Sequence, residues 1–284
     1  MAVKLIFIDI DGTLTNDKKE ITPATKQALM TAQQYGIRLV IASGRPSHGI
    51  FQYGDQLDMR LHHGVFICYN GARVVNCEDG KVMMDITIPE GLTTAVLNHL
   101  KKFDVIPLIT HGSHMVVEDV YNCMVKDGDH EFNVLAYESR NNGYQLMETK
   151  DLASYAKFPC NKILTAGDSD YLQAHYEEMS EPFKGKLNMM FTSNFYYEYT
   201  AFGVDKGTAA KEVMKQLNVK PEECIAFGDS ENDIPMLKLA GLGIAMGNAQ
   251  PDVIKAADEV TLDNNHDGIA ESLYKHLEQL HTYE

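Results

Sequence analysis

No apolar run in this sequence approaches the ~20 residues that a membrane-spanning helix needs. Cysteine is sparse. Cys68, Cys77, Cys123, Cys160 and Cys224 are an odd, widely spaced set without a CxxC pair. That pattern argues against a disulfide framework or a cysteine zinc cluster, and it suits reduced thiols in a cytoplasmic protein. Positive charge is scarce as well: 25 Lys and Arg stand against 40 Asp and Glu, a net charge of −15. Nucleic-acid and anionic-membrane binding rest on basic surface, so neither is expected. An anionic substrate would need a site that creates its own positive field. Internal repeats and low-complexity tracts are absent. The opening residues 1–12 carry a short apolar run, then acids, with no small-residue cleavage site, and read as a strand rather than a signal peptide.

What is present is an ordinary globular balance, 44% hydrophobic and 23% charged over 284 residues. At ~150 residues per domain that length suggests two domains. Both ends alternate strand and helix patterns. Lys4–Asp9, Ile37–Ala42, Val65–Cys68, Cys224–Phe227, Leu242–Met246 and Val260–Leu262 read as strands, and helices are expected after Thr22, from Pro46, and over Thr208–Leu217, Asp233–Ala240 and Asp252–Ala257. A final helix is expected over Ile269–Leu280. Alternation of this kind implies right-handed crossovers and a parallel sheet. A hairpin turning at Asp79-Gly80 follows the third strand. The middle, roughly 87–189, reads as α+β. The expected architecture is a Rossmann-like α/β core, residues 1–86 and 190–284, with an inserted α+β cap over 87–189.

Four segments carry chemistry. The first strand ends Asp9-Ile10-Asp11-Gly12-Thr13. Two carboxylates two residues apart point to one side of an extended chain, at the carboxyl end of a parallel strand where such sheets bind ligands. Like charges this close repel, and a divalent metal is the simplest relief. Gly12 permits a tight turn that turns backbone N–H groups towards an anion. A calcium loop is a rival reading, since acidic and hydroxyl residues recur from Asp9 to Glu20. However, Leu14 stands where that loop needs glycine, and a strand precedes it rather than a helix. The second strand ends Ser43-Gly44-Arg45, where the Ser43 hydroxyl and the Gly44 backbone N–H before a helix start are suited to phosphate. Lys206, in Asp205-Lys206-Gly207-Thr208, could set a point charge against a phosphate oxygen. Finally, Gly228-Asp229-Ser230-Glu231-Asn232-Asp233 follows a buried strand, and Asp229 there could ligate Mg²⁺. Acids, a hydroxyl, a lysine and acids again make a set for metal-assisted phosphoryl transfer. His111 with His114 has no third ligand nearby, and the aromatic run Phe195–Tyr199 reads as packing.

On these four segments the sequence resembles the haloacid dehalogenase-like phosphotransferases. It is similar to the Cof-type branch, with its large α+β cap after the third core strand. Asn70-Gly71-Ala72, Met246-Gly247-Asn248-Ala249 and Asp267-Gly268-Ile269-Ala270 also look like that branch. The resemblance implies a Mg²⁺-dependent phosphatase in which Asp9 is the nucleophile and Asp11 the proton donor and acceptor. Mg²⁺ would be held by Asp9, the Asp11 backbone carbonyl and Asp229, with Asp233 in support. Gly12, Ser43, Gly44, Lys206 and Asn232 would hold the phosphoryl group. The implied substrate is a small phosphate ester, a sugar phosphate first and a phosphorylated cofactor such as pyridoxal phosphate second. A phosphomutase and a non-catalytic metal-binding regulatory module are the alternatives. The sequence assigns no role to Arg45 or Asn70 and no oligomeric state.

Overall fold

A computed structural model describes residues 3–277. Five strands open the chain: β1 Leu5–Ile8, β2 Arg38–Ala42, β3 Val65–Cys68, β4 Arg73–Asn76 and β5 Val82–Asp85. Eight follow: β6 Ile106–His111, β7 His114–Val117, β8 Met124–Asp127, β9 His130–Asn133, β10 Gln145–Glu148, β11 Lys162–Ala166, β12 Leu187–Ser193 and β13 Tyr196–Ala201. Three close it: β14 Cys224–Gly228, β15 Leu242–Ala245 and β16 Glu259–Val260. The chain forms two compact units, residues 1–84 with 205–284, and residues 85–204.

The first unit is built on one eight-stranded sheet of order β16-β15-β14-β1-β2-β3-β4-β5. The strands from β16 to β3 run parallel, and β4 turns back antiparallel to β3. This is an α/β sheet of the expected class, with the 73–85 hairpin along one edge. Every residue of β1 is buried, as a central strand covered on both faces requires. Leu5 and Phe7 pack with Val40, Val213, Ala226 and Leu237 on one face. The helix Pro23–Gln34 begins where Thr22 caps it, its side chain accepting from the Thr25 N–H, with Pro23 in the first turn. The last helix is Gly268–His276; residues 278–280 of the expected helix lie outside the described residues.

The second unit has a six-stranded sheet of order β10-β7-β6-β11-β13-β12 and the separate hairpin β8-β9. It runs over 85–204, where 87–189 was expected, and the last bound differs most. The reason is pairing. β12 and β13 continue the sheet from β11, with Lys162 opposite Thr200 and Asn188 opposite Thr200, so both strands stay with the insertion. Tyr197 and Tyr199 pack in its core, as the packing reading of that run requires. His111 bonds the Tyr155 hydroxyl at 2.7 Å and stacks on Phe158. Among the described residues no helix is long and apolar enough to cross a membrane.

Phe7 sits at the centre of the first unit and is 1% exposed. Phe7→Ala is expected to destabilise that unit by about 3–5 kcal/mol. Urea unfolding followed by circular dichroism checks this through the shift in midpoint.

Candidate active site

The sheet order sets β1 between β14 and β2, so three loops leave its carboxyl edge side by side. Asp9 directly follows β1 and is 7% exposed, and its backbone N–H donates to the Phe227 carbonyl of β14 at 3.2 Å. The helix Lys206–Leu217 starts nearby, capped by the Asp205 side chain on the Thr208 N–H. Its first residue turns inward. Lys206 is 1% exposed, and its Nζ donates to Asp9 Oδ1 and to Asp233 Oδ1, both at 2.6 Å. Asp233 is fully buried, and its second oxygen accepts the N–H groups of Asp229 and Ser230 at 3.1 Å each.

Asp229 completes the cluster. Oxygens of Asp9, Asp229 and Asp233 lie within 4.8 Å of one another. Thr13 donates its hydroxyl to Asp229 Oδ1 at 2.8 Å, and Ser230 donates to Oδ2 at 3.2 Å. Gly12 takes φ +85°, and a Cβ there would lie 2.5 Å from Asp229 Oδ2. Glycine is therefore required by both backbone and space.

The two acids of the first motif do not share a partner. Asp9 turns inward to Lys206, whereas Asp11 meets Arg45 side-on, Nε to Oδ2 at 2.8 Å and NH2 to Oδ1 at 2.7 Å. Lys19 adds a third contact to Asp11 at 2.8 Å. The calcium-loop reading fails on this divergence and on the strand that precedes it. Burial opposes the charge on Asp11, but Arg45 and Lys19 overcome it and hold the carboxyl down at about 2. In the inner cluster the balance is reversed. Burial pushes Asp9 well above the usual carboxylate value, with Lys206 opposing and the other acids reinforcing it. Burial, followed by the charge of Asp233, pushes Asp229 up to about 6. Burial alone would lower Lys206, yet Asp233 and Asp9 raise it above the ordinary lysine value.

The remaining expected residues form the other side. Ser43 is buried, and its hydroxyl accepts the Arg45 N–H at 3.1 Å. Gly44 faces Asn70: a Cβ on Gly44 would lie 3.1 Å from the Asn70 amide. Asn70, in the turn after β3, takes φ +55° and accepts at Oδ1 from Asn232 Nδ2 at 2.8 Å, joining that turn to the fourth motif. Sequence reasoning gave no role to Thr13 and missed Lys19. Thr13 lay inside the quoted motif. Lys19 reaches Asp11 across an irregular loop and leaves no periodic signal.

The chain matches the family described as haloacid dehalogenase-like hydrolase over residues 6–273. It belongs to that family. A haloacid dehalogenase-like hydrolase from Bacteroides thetaiotaomicron has a solved structure with TM-score 0.87 and 34% identity, covering 96% of this chain and 99% of that one. Pyridoxal phosphate phosphatase YbhA of Escherichia coli is 28% identical over 277 residues, 98% of this chain and 100% of YbhA. The solved sugar phosphatase BT4131 is 25% identical with TM-score 0.79, covering 96% of this chain and 98% of that one.

The donor set of this haloacid dehalogenase-like hydrolase fits Mg²⁺. Its oxygens are hard ligands, and three carboxylates face the one charge of Lys206; when all three are ionised they leave two negative charges, which a divalent ion would balance. Asp233 has both oxygens engaged, one with Lys206 and one with two backbone N–H groups.

Lys206→Met removes the cation and strands two buried acids. Without divalent metal at pH 7 it is expected to cost about 3–5 kcal/mol of stability. Denaturant unfolding of parent and variant measures the difference, and a loss below 1 kcal/mol would contradict this reading of the cluster.

Proposed function

We propose that this hydrolase is a Mg²⁺-dependent phosphatase that cleaves a small phosphorylated metabolite, a sugar phosphate, through a phosphoryl group carried on Asp9. One observation carries the reading: a lysine-bridged cluster of buried carboxylates, two negative charges in excess, at the carboxyl edge of a parallel sheet. The sugar phosphatase BT4131 supports the substrate class, and YbhA supports the second choice, pyridoxal phosphate. The presence of Asp9, Asp11, Lys206 and Asp229 in one unit argues against a non-catalytic module.

When bound, Mg²⁺ would supply the charge neutralisation that lets an anionic nucleophile meet an anionic ester; Asp9, Asp229 and the Asp11 carbonyl would hold it. Asp9 attacks phosphorus, forming an Oδ–P bond as the ester P–O bond breaks. Asp11 gives its proton to the departing oxygen. Water then attacks the phosphorus, Asp11 takes the water proton, and Asp9 is released as a carboxylate. The covalent step divides one hard displacement into two easier ones. Ser43, the Gly12 and Gly44 N–H groups, Asn232 and Lys206 serve the phosphoryl oxygens.

Asp11 as it stands is charged and paired, the opposite of a proton donor. An arriving phosphate ester competes for the same two cations. As Arg45 and Lys19 turn to the substrate, the Asp11 carboxyl loses what held it down and can take up a proton.

Phosphate release from an aryl phosphate, then from hexose phosphates and pyridoxal phosphate, tests the reading. Release is expected with Mg²⁺ and not with chelator, with hexose phosphates preferred. Asp9→Asn is expected to lower turnover by at least about a thousandfold without loss of fold. Chelator-resistant release, or substantial activity in Asp9→Asn, contradicts the mechanism. Isomerised product from a bisphosphorylated sugar would point to a mutase.

A further inference from the structure

The segment Met246-Gly247-Asn248-Ala249 has no part in the mechanism above, yet it is bound to the catalytic loop. Asn248 follows β15, the strand beyond β14. Its Nδ2 donates to the Gly12 carbonyl at 2.8 Å, and its Oδ1 accepts the Asn264 N–H at 3.0 Å. Asn264 in turn donates its amide to the Thr15 carbonyl at 3.0 Å. Two asparagines from the far end of the chain thus hold two carbonyls of the Asp9–Thr15 loop.

The rest of that loop is tied within itself. The Asp9 carbonyl accepts from the Leu14 N–H, and the Ile10 carbonyl from the Thr15 N–H and hydroxyl and, at a longer 3.4 Å, from the Thr13 N–H. For the Gly12 carbonyl the tie comes from outside the loop. The Gly12 carbonyl belongs to the same rigid peptide plane as the Thr13 N–H. Fixing that plane fixes where Thr13 starts, and the Thr13 hydroxyl holds Asp229 Oδ1. A chain of contacts therefore runs from Asn248 through Gly12 and Thr13 to Asp229. Gly247 makes it possible: a Cβ there would lie 2.8 Å from the Asp263 N and 3.0 Å from the Thr261 carbonyl. Only glycine lets the 246–249 turn lie against 261–263, which brings the Asn264 N–H to Asn248.

We infer that Asn248 is a positioning residue that sets the Gly12–Thr13 peptide and, through Thr13, aims the Asp229 carboxylate at the divalent cation. The inference rests on the proposed Mg²⁺ site. Outer contacts of this kind commonly govern metal affinity by tenfold or more. Asn248 stands outside the ligands and the phosphoryl contacts, so its loss acts on the metal and on turnover more than on substrate capture.

Two variants separate the two bonds. Asn248→Ala removes both. Asn248→Asp keeps an acceptor for the Asn264 N–H and places a carboxylate oxygen against the Gly12 carbonyl. Mg²⁺ binding to the intact protein is read by calorimetry, and aryl phosphate hydrolysis is read at saturating Mg²⁺. Both variants are expected to bind Mg²⁺ about tenfold more weakly and to lose about tenfold in kcat, with KM within about threefold of the parent. The Asp variant, which retains the Asn264 link, is expected to match the Ala variant. Mg²⁺ affinity and kcat within about twofold of the parent in either folded variant would overturn the inference. A fall in KM-dependent terms alone would do the same. An inactive parent that binds no Mg²⁺ would overturn the phosphatase reading and this inference with it.

Discussion

The site depends on one buried ammonium. Lys206 has no exposed side-chain surface and is pinned between Asp9 and Asp233. Taking such charges out of water is costly, and mutual attraction repays it only where the geometry is good and other hydrogen bonds complete each group. Here they do. Asp205 caps the helix that delivers Lys206, and two backbone N–H groups hold the far oxygen of Asp233. Among the described residues Asp229 has no lysine bonded to it; its two oxygens accept the Thr13 and Ser230 hydroxyls, and its carboxyl is pushed up to about 6 by burial and by Asp233. A divalent cation is the natural complement of that cluster.

Around this cluster the chain separates two kinds of acid. The inner three are largely buried and share one cation, Lys206. Asp11, two residues away, is oversupplied by Arg45 and Lys19. The arrangement separates the two acids of the first motif by environment rather than by residue type, one buried beside Lys206 and the other paired with Arg45 and Lys19. The same loop achieves both because Gly12 at φ +85° turns the chain sharply between Asp11 and Thr13.

Much of this was legible in sequence because buried parallel strands leave long apolar runs that end abruptly in polar residues. The ends of β1, β2 and β14 could be found that way, and sheet order then brings them together. What was not legible rests on pairing and on irregular backbone. β12 and β13 read plainly as strands, but nothing in their composition says which sheet they join, so the boundary was expected near 190 instead of 204. Residues 120–160 lack a clear period and fold into the hairpin β8-β9, two helices and β10. Lys19 comes to Asp11 from a loop held by the Asn16 side chain on the N–H groups of Lys18 and Glu20, a local geometry without a repeat. Asn248 stood in a visible motif, but its partner lies 236 positions away.

The proposed Mg²⁺ site rests on the excess of negative charge among Asp9, Asp229 and Asp233. Thermal unfolding of the metal-free parent and of Asp229→Asn, each with and without saturating Mg²⁺, tests it most directly. Mg²⁺ is expected to raise the parent's midpoint by roughly 5–10 °C. Asp229→Asn is expected to be more stable than the parent without metal and scarcely to respond to it. A parent indifferent to Mg²⁺, or a variant that responds as the parent does, would contradict the proposed site.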